Sequence, residues 1–361
     1  MSQIGVRTEG SSERVKARHC GLDYLRGIAA LMVAVDHAWY LENTTSAAHN
    51  MLTSLVFSIV SVAVPLFLLM SGAFLIRNGR NENAGRFWWH SIKKLGPLSI
   101  AFLLLAFFWQ TSLWDEYVMG KYGTQELLYR TLHWYGGGAV VPLWYICMLP
   151  GLYFFVPFLA RLWKKWTFNY FVVISFLLYG VGIVLPAFGF SLPQPFAAVF
   201  FLGYFMLGAV IMQLADKKKL PGIWVCLTLL ILVIIACTCW TYFSLMQSPE
   251  NEKVHDMVAS YVSPFTWFAC LIWFALFSQL NAAPQKWVSL LSQLSFLIYL
   301  THVPCQRIIR ALLFHAGYID QLHATWLNNV LFAISSVVLS IAVSFVIHKI
   351  YSPMENWLKS R

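Results

Sequence analysis

The chain has 361 residues, 59% of them hydrophobic and 11% charged, with a mean hydropathy of +0.65. Soluble domains run at roughly 45–50% apolar and about 25% charged. This composition therefore excludes a soluble enzyme, a disordered chain and a nucleic-acid-binding domain. The net charge of +10 and the pI near 9.3 point to basic cytoplasmic loops of a membrane protein, not to nucleic acid.

Apolar runs of roughly 17–25 residues predict membrane helices. Ten stand along the chain, at about 22–40, 52–76, 95–114, 142–160, 169–187, 196–213, 222–244, 262–280, 288–314 and 326–350. The fourth is interrupted by Pro150 and Pro157, which a membrane helix tolerates where neighbours satisfy the freed backbone groups. The ninth carries Ser292, Ser295, His302, Gln306, Arg307 and Arg310. Nineteen of the 25 Lys and Arg residues fall on one side. They include Arg7, Arg14, Lys16 and Arg18 in the N-terminal tail, the cluster Arg77 to Lys94, Arg161 to Lys165, Lys217 to Lys219, Lys286, and the C-terminal end. Lys121, Arg130, Lys253, Arg307 and Arg310 fall on the other side or at outer helix ends, and Arg26 lies inside the first helix. The positive-inside rule then puts both termini in the cytoplasm, which requires an even number of spans.

The expected fold is all-α: a polytopic membrane protein of about ten transmembrane helices. Residues 1–21 form a basic cytoplasmic tail, 22–350 the transmembrane domain and 351–361 a second cytoplasmic tail. The first apolar run is longer than a signal-peptide core and reads as a retained anchor. Seven cysteines, mostly within the spans and without a metal-type CxxC, read as apolar packing residues, so no metal is expected. The outer loops at about 115–141 and 245–261 are the longest. The first holds His133, Trp134, Tyr135 and the run Gly136 to Gly138. Its aromatics fit an interfacial belt, with stacking on sugar rings as the other reading.

An ionisable residue inside a span is expensive and marks a candidate functional site. The first helix carries Arg26, Asp36 and His37, with Asp23 as a first-turn acid. Arg26 and His37 are eleven residues apart, three turns plus about 20°, so they share a face about 16 Å apart along the axis. The stripe Arg26, Ala30, Val33, His37, Tyr40 is narrow and mostly small or polar, and is expected to face a cavity. Arg26 alone is also compatible with snorkelling to headgroups. His37 is compatible with either a bonded bundle histidine or a general base. On the ninth helix Tyr299, His302, Gln306 and Arg310 follow at spacings that put them on one face. Five basic residues, Arg77, Arg80, Arg86, Lys93 and Lys94, lie close together on the cytoplasmic side. They suit phosphate groups, and equally satisfy the positive-inside rule.

Together these segments resemble the integral-membrane acyltransferase-3 family. Leu22 to Ala30 followed by His37 resembles its Arg-x10-His signature. Pro65 to Ile76 is similar to its second helix, and Arg77 to Arg80 to an RxxR element of some members. Leu143-Trp144-Tyr145 with Pro157-Phe158-Leu159, and Ser295 to His302, are similar to two further family segments. Asp36 has no counterpart in the signature. The chain stops after the tenth helix, so the resemblance is to the standalone polysaccharide and common-antigen O-acetyltransferases, not to members with a fused esterase-like domain.

The resemblance implies transfer of an acyl group, usually acetyl, from acyl-CoA to a hydroxyl of a cell-surface polysaccharide or lipid-linked glycan, in a bacterial inner membrane. It implies His37 and Arg26 as catalytic residues. It implies Arg26, Arg77, Arg80, Lys93 and Lys94 as acyl-CoA ligands, and Tyr299, His302, Arg310 and Trp144 on the acceptor side. The other reading of the same intramembrane charges is a glycan or solute transporter or flippase, although inverted repeats with broken helices are not evident. Membrane lipids are the remaining expected partners.

Overall fold

The structure is a computed structural model. It describes residues 20–39, 46–108, 144–188, 196–247, 263–280, 285–318 and 325–359, with isolated positions 123, 125, 190 and 192. The described residues are almost entirely helical and include no strand. In chain order the helices are α1 (Cys20–Ala38), α2 (Ala47–Val60), α3 (Ala63–Leu75), α4 (Ala84–Phe108), α5 (Trp144–Lys165), α6 (Phe168–Ala187), α7 (Leu202–Asp216), α8 (Ile223–Gln247), α9 (Pro264–Ser278), α10 (Lys286–His315) and α11 (Trp326–Lys359). Short 3-10 turns occupy Gly79–Glu82 and Phe196–Phe201. The second of these runs into α7, and α2 with α3 forms one broken segment, so the described residues make ten helical segments as the hydropathy predicts. Six are long and apolar enough to cross a membrane: Ala47–Leu75, Trp144–Lys165, Phe196–Asp216, Ile223–Met246, Lys286–His315 and Trp326–Pro353.

Two segments depart from their sequence reading. The second run is expected as one helix but turns at Ser61–Val62. Pro65 has no N–H to offer the Ser61 carbonyl and its ring crowds it. Ser54 and Ser58 also return their hydroxyls to the carbonyls four residues back, at 2.8 and 2.7 Å, a bond that bends helices. α4 begins at Ala84, eleven residues before its apolar run, because hydropathy misses the polar turns from Arg86 to Lys94. By contrast α5 passes through Pro150 and Pro157 unbroken. Pro157 leaves the Tyr153 carbonyl without its helical donor, and the Trp88 indole N–H from α4 supplies one at 3.2 Å.

The core is built around α1, which packs against α10, α3, α11, α9 and α2. α7 is enclosed, every residue from Leu202 to Met212 being buried. It lies close against α3 because Gly72 and Gly208 face each other's backbones. A side chain on Gly72 would overlap the Phe205 carbonyl, and one on Gly208 the Leu69 carbonyl. Along α11 the small residues Ser336, Ser340 and Ser344 are buried, and Thr301 of α10 hydrogen-bonds the Ser344 hydroxyl at 2.9 Å. Small hydroxylated residues at such a seam let membrane helices approach and bond. Large apolar side chains instead point outward from α6, α8 and α11, among them Leu177, Trp224, Ile231, Leu331 and Val346. A surface this apolar belongs against lipid.

Candidate functional site

α10 is fastened to α1 along its length by polar contacts. Near the first turn of α1, Ser292 Oγ donates to Asp23 Oδ1 at 2.9 Å. Near the other end, Gln306 Nε2 donates to the Ala34 carbonyl at 3.0 Å. Between these two fastenings lie a cavity and a histidine pair.

The cavity holds about 530 Å³. Arg26 of α1, Lys94 of α4 and His348 of α11 line it, with the polar groups of Ser71, Tyr145, Tyr153, Gln293, Ser295, Tyr299 and Tyr351. None of its described lining residues is acidic. The Arg26 guanidinium also lies over the Phe74 ring, 5.8 Å from its centroid, a contact that anchors the cation without neutralising it. Half-buried Arg26 and exposed Lys94 bring two cationic side chains to this compartment, groups of the kind that hold an anion.

At one edge of the cavity Tyr145 and Tyr299 meet edge to face, with centroids 5.5 Å apart. The Tyr299 ring is 5.8 Å from that of His302. His302 in turn lies alongside His37, centroids 5.1 Å apart and planes 22° apart. A chain of ring contacts thus leads from the cation-lined cavity to His37. His302 is fully buried, and its Nδ1 is 2.7 Å from the Tyr299 carbonyl oxygen. A carbonyl only accepts, so Nδ1 carries a proton in that contact. His37 and the neighbouring Asp36 are half-buried.

The structure brings together part of the set expected from sequence. Arg26, Lys94 and Tyr299 share the cavity, and His37 meets His302. Arg77, Arg80 and Lys93 stand outside the cavity lining. Arg77 is paired with Asp216 at the end of α7. Arg80 is exposed on the 3-10 turn, which is braced to α5 by the Lys164–Glu82 ion pair and by Arg161 donating to the Glu82 carbonyl at 2.7 and 3.0 Å. Lys93 lies over the Trp89 ring at 5.0 Å. Arg310 is half-buried, about two turns beyond His302 on α10. Trp144 packs on Phe201, centroids 5.5 Å apart, and against Tyr145. Tyr40, the N-terminal tail and His133 to Gly138 lie outside the described residues.

Sequence reasoning gave no role to Tyr145, Tyr153, His348 or Tyr351. His348 did carry a signal, as an ionisable residue inside the last apolar run. Tyr145 stood in a family-like segment without a role of its own, and Tyr153 and Tyr351 carried no signal, since aromatics are abundant throughout this chain.

The family model described as an acyltransferase domain matches residues 21–349, from the start of α1 almost to Ile350 of α11. Comparison with curated proteins and with solved structures gives no match.

Proposed function

The chain belongs to the acyltransferase-3 family and is a membrane acyltransferase, and from that premise we propose that it is an O-acetyltransferase. In this reading it moves an acetyl group from acetyl-CoA to a hydroxyl of a cell-surface polysaccharide or lipid-linked glycan. The family match speaks against the transporter reading. The observation that carries the proposal is the path from Arg26 and Lys94, through Tyr299, to His302 and His37.

The phosphates of the donor sit against Arg26 and Lys94, where guanidinium and ammonium groups can hold them. The pantetheine arm extends along α1, past the Tyr145–Tyr299 pair. Arg26 and His37 are about 16 Å apart along the helix axis, a span suited to such an arm. The thioester then lies beside His37. Neutral His37 removes the proton from the acceptor hydroxyl as its oxygen bonds to the thioester carbonyl carbon. The carbon–sulfur bond breaks, and the proton passes from the imidazolium to the departing thiolate, leaving an ester and free CoA thiol. Tyr299, His302, Arg310 and Trp144 belong to the acceptor side. Arg77, Arg80 and Lys93, outside the cavity lining, are left to the surface on which the donor arrives. The basic end of the molecule is cytoplasmic, both termini included, in a bacterial inner membrane. Residues 1–21 and 351–361 flank the transmembrane domain as tails.

Mass spectrometry of envelope glycans from cells with and without the gene tests the reading. The expected result is a species heavier by one acetyl group that disappears with the gene. Identical glycans in both would overturn it.

A further inference from the structure

One acceptor of the site is His302 Nε2. It is buried, and no hydrogen-bond partner reaches it among the described residues. Because Nδ1 is committed as the donor to the Tyr299 carbonyl at 2.7 Å, neutral His302 presents Nε2 as a bare acceptor. A buried acceptor left unsatisfied is costly, and such a group in a native site calls for an explanation. A nearby donor is available. The ring beside His302 is that of His37, with centroids 5.1 Å apart and planes only 22° apart. Two imidazoles joined edge to edge by an N–H···N bond of about 3 Å have their centroids roughly 5 Å apart. In the structure the two rings lie stacked and the bond is not formed, but their centroid separation is close to that of a bonded pair. Turning the half-buried His37 ring is the movement the bond would require.

We infer that His302 is the positioning residue of the catalytic histidine. In the working complex His37 donates one ring N–H to His302 Nε2, and His302 donates Nδ1–H to the Tyr299 carbonyl. This backbone-anchored relay fixes which His37 nitrogen carries the proton and leaves the other free to take the proton of the acceptor hydroxyl. It is the arrangement in which a base is oriented by a third group, here with a neutral imidazole in place of a carboxylate. The inference rests on the reading of His37 as the base, and it moves His302 from lining the acceptor side to controlling His37.

The side-chain amides of Asn and Gln separate the two nitrogens of His302. His302→Asn keeps a donor near Nδ1 for the Tyr299 carbonyl but removes the acceptor at Nε2. His302→Gln puts an acceptor near Nε2. Both variants, with wild type and His37→Ala, are purified and compared by thermal melting, and only folded protein is assayed for acetyl transfer. The relay predicts that His302→Asn lowers kcat at least about tenfold while KM for acetyl-CoA stays within about twofold, and that His302→Gln recovers a substantial part of kcat. A His302→Asn enzyme with wild-type kcat, a loss expressed in KM alone, or a His302→Gln enzyme as slow as His302→Asn would each overturn it. His37→Ala separates the two claims. If it is inactive while His302→Asn is unaffected, only the relay fails. If it is active, the reading of His37 fails.

Discussion

Replacing Arg26 by alanine separates the cavity from the basic loop beside it as the seat of the donor. Arg26 and Lys94 line a cavity of about 530 Å³ with no acidic residue among its described lining. A charge-assisted hydrogen bond to a phosphate contributes about 1.5–3 kcal/mol, and each 1.4 kcal/mol is about tenfold in affinity. Arg26→Ala should therefore weaken CoA binding by about 10- to 100-fold. Binding should persist at that reduced level because Lys94 remains. Arg77 is the contrasting case. Its guanidinium already faces Asp216, and the two side chains are 26% and 42% exposed. An ion pair that open contributes about 0–1 kcal/mol, so Arg77→Ala should barely alter stability and should leave CoA affinity within about twofold. Isothermal titration of CoA into the purified protein in nanodiscs, at two salt concentrations, measures the affinities, and thermal melting the stability. Unchanged affinity in Arg26→Ala, or an equal loss in Arg77→Ala, would refute the assignment of the phosphates to the cavity.

Further outcomes follow from the same geometry. His37→Ala should lower the rate of acetyl transfer by about 10²- to 10⁴-fold, the usual contribution of a general base, with normal abundance and membrane insertion on immunoblots of membrane fractions. Gly208→Ala should destabilise the protein by about 1–3 kcal/mol, since the added carbon meets the Leu69 carbonyl and overpacking costs that much; thermal melting monitored by size-exclusion chromatography reads it. Trp88→Phe removes the donor to the Tyr153 carbonyl and should cost about 1 kcal/mol. Adding Pro157→Ala restores a helical N–H to that carbonyl, so the double variant should melt above Trp88→Phe alone.

The number and order of the helices were legible because each needs a long apolar run, and such runs survive any error in their ends. What hydropathy misses is local backbone chemistry. The second run turns at Ser61–Val62, just before Pro65, while α5 passes Pro157 with the Tyr153 carbonyl taken by Trp88 of another helix. Hydropathy does not tell the two prolines apart. The site divides in the same way. Helical spacing placed Arg26 and His37 on one face of α1, and both turn toward α10, Arg26 through the shared cavity and His37 through His302. Spacing also grouped Tyr299 with His302. No periodicity could align His302 with His37, bring His348 of α11 to Arg26, or pair Arg77 with Asp216. Each of those joins segments far apart in the chain, and only the packing of α1, α10, α11 and α7 decides them.

The central claim is acetyl transfer that depends on His37. Purified protein in liposomes is given radiolabelled acetyl-CoA and an envelope glycan extract, and label in the glycan is counted for wild type and for His37→Ala. The account predicts label transfer by wild type and background counts for the variant. Equal label from both, or none from folded wild-type protein that binds CoA, would contradict it.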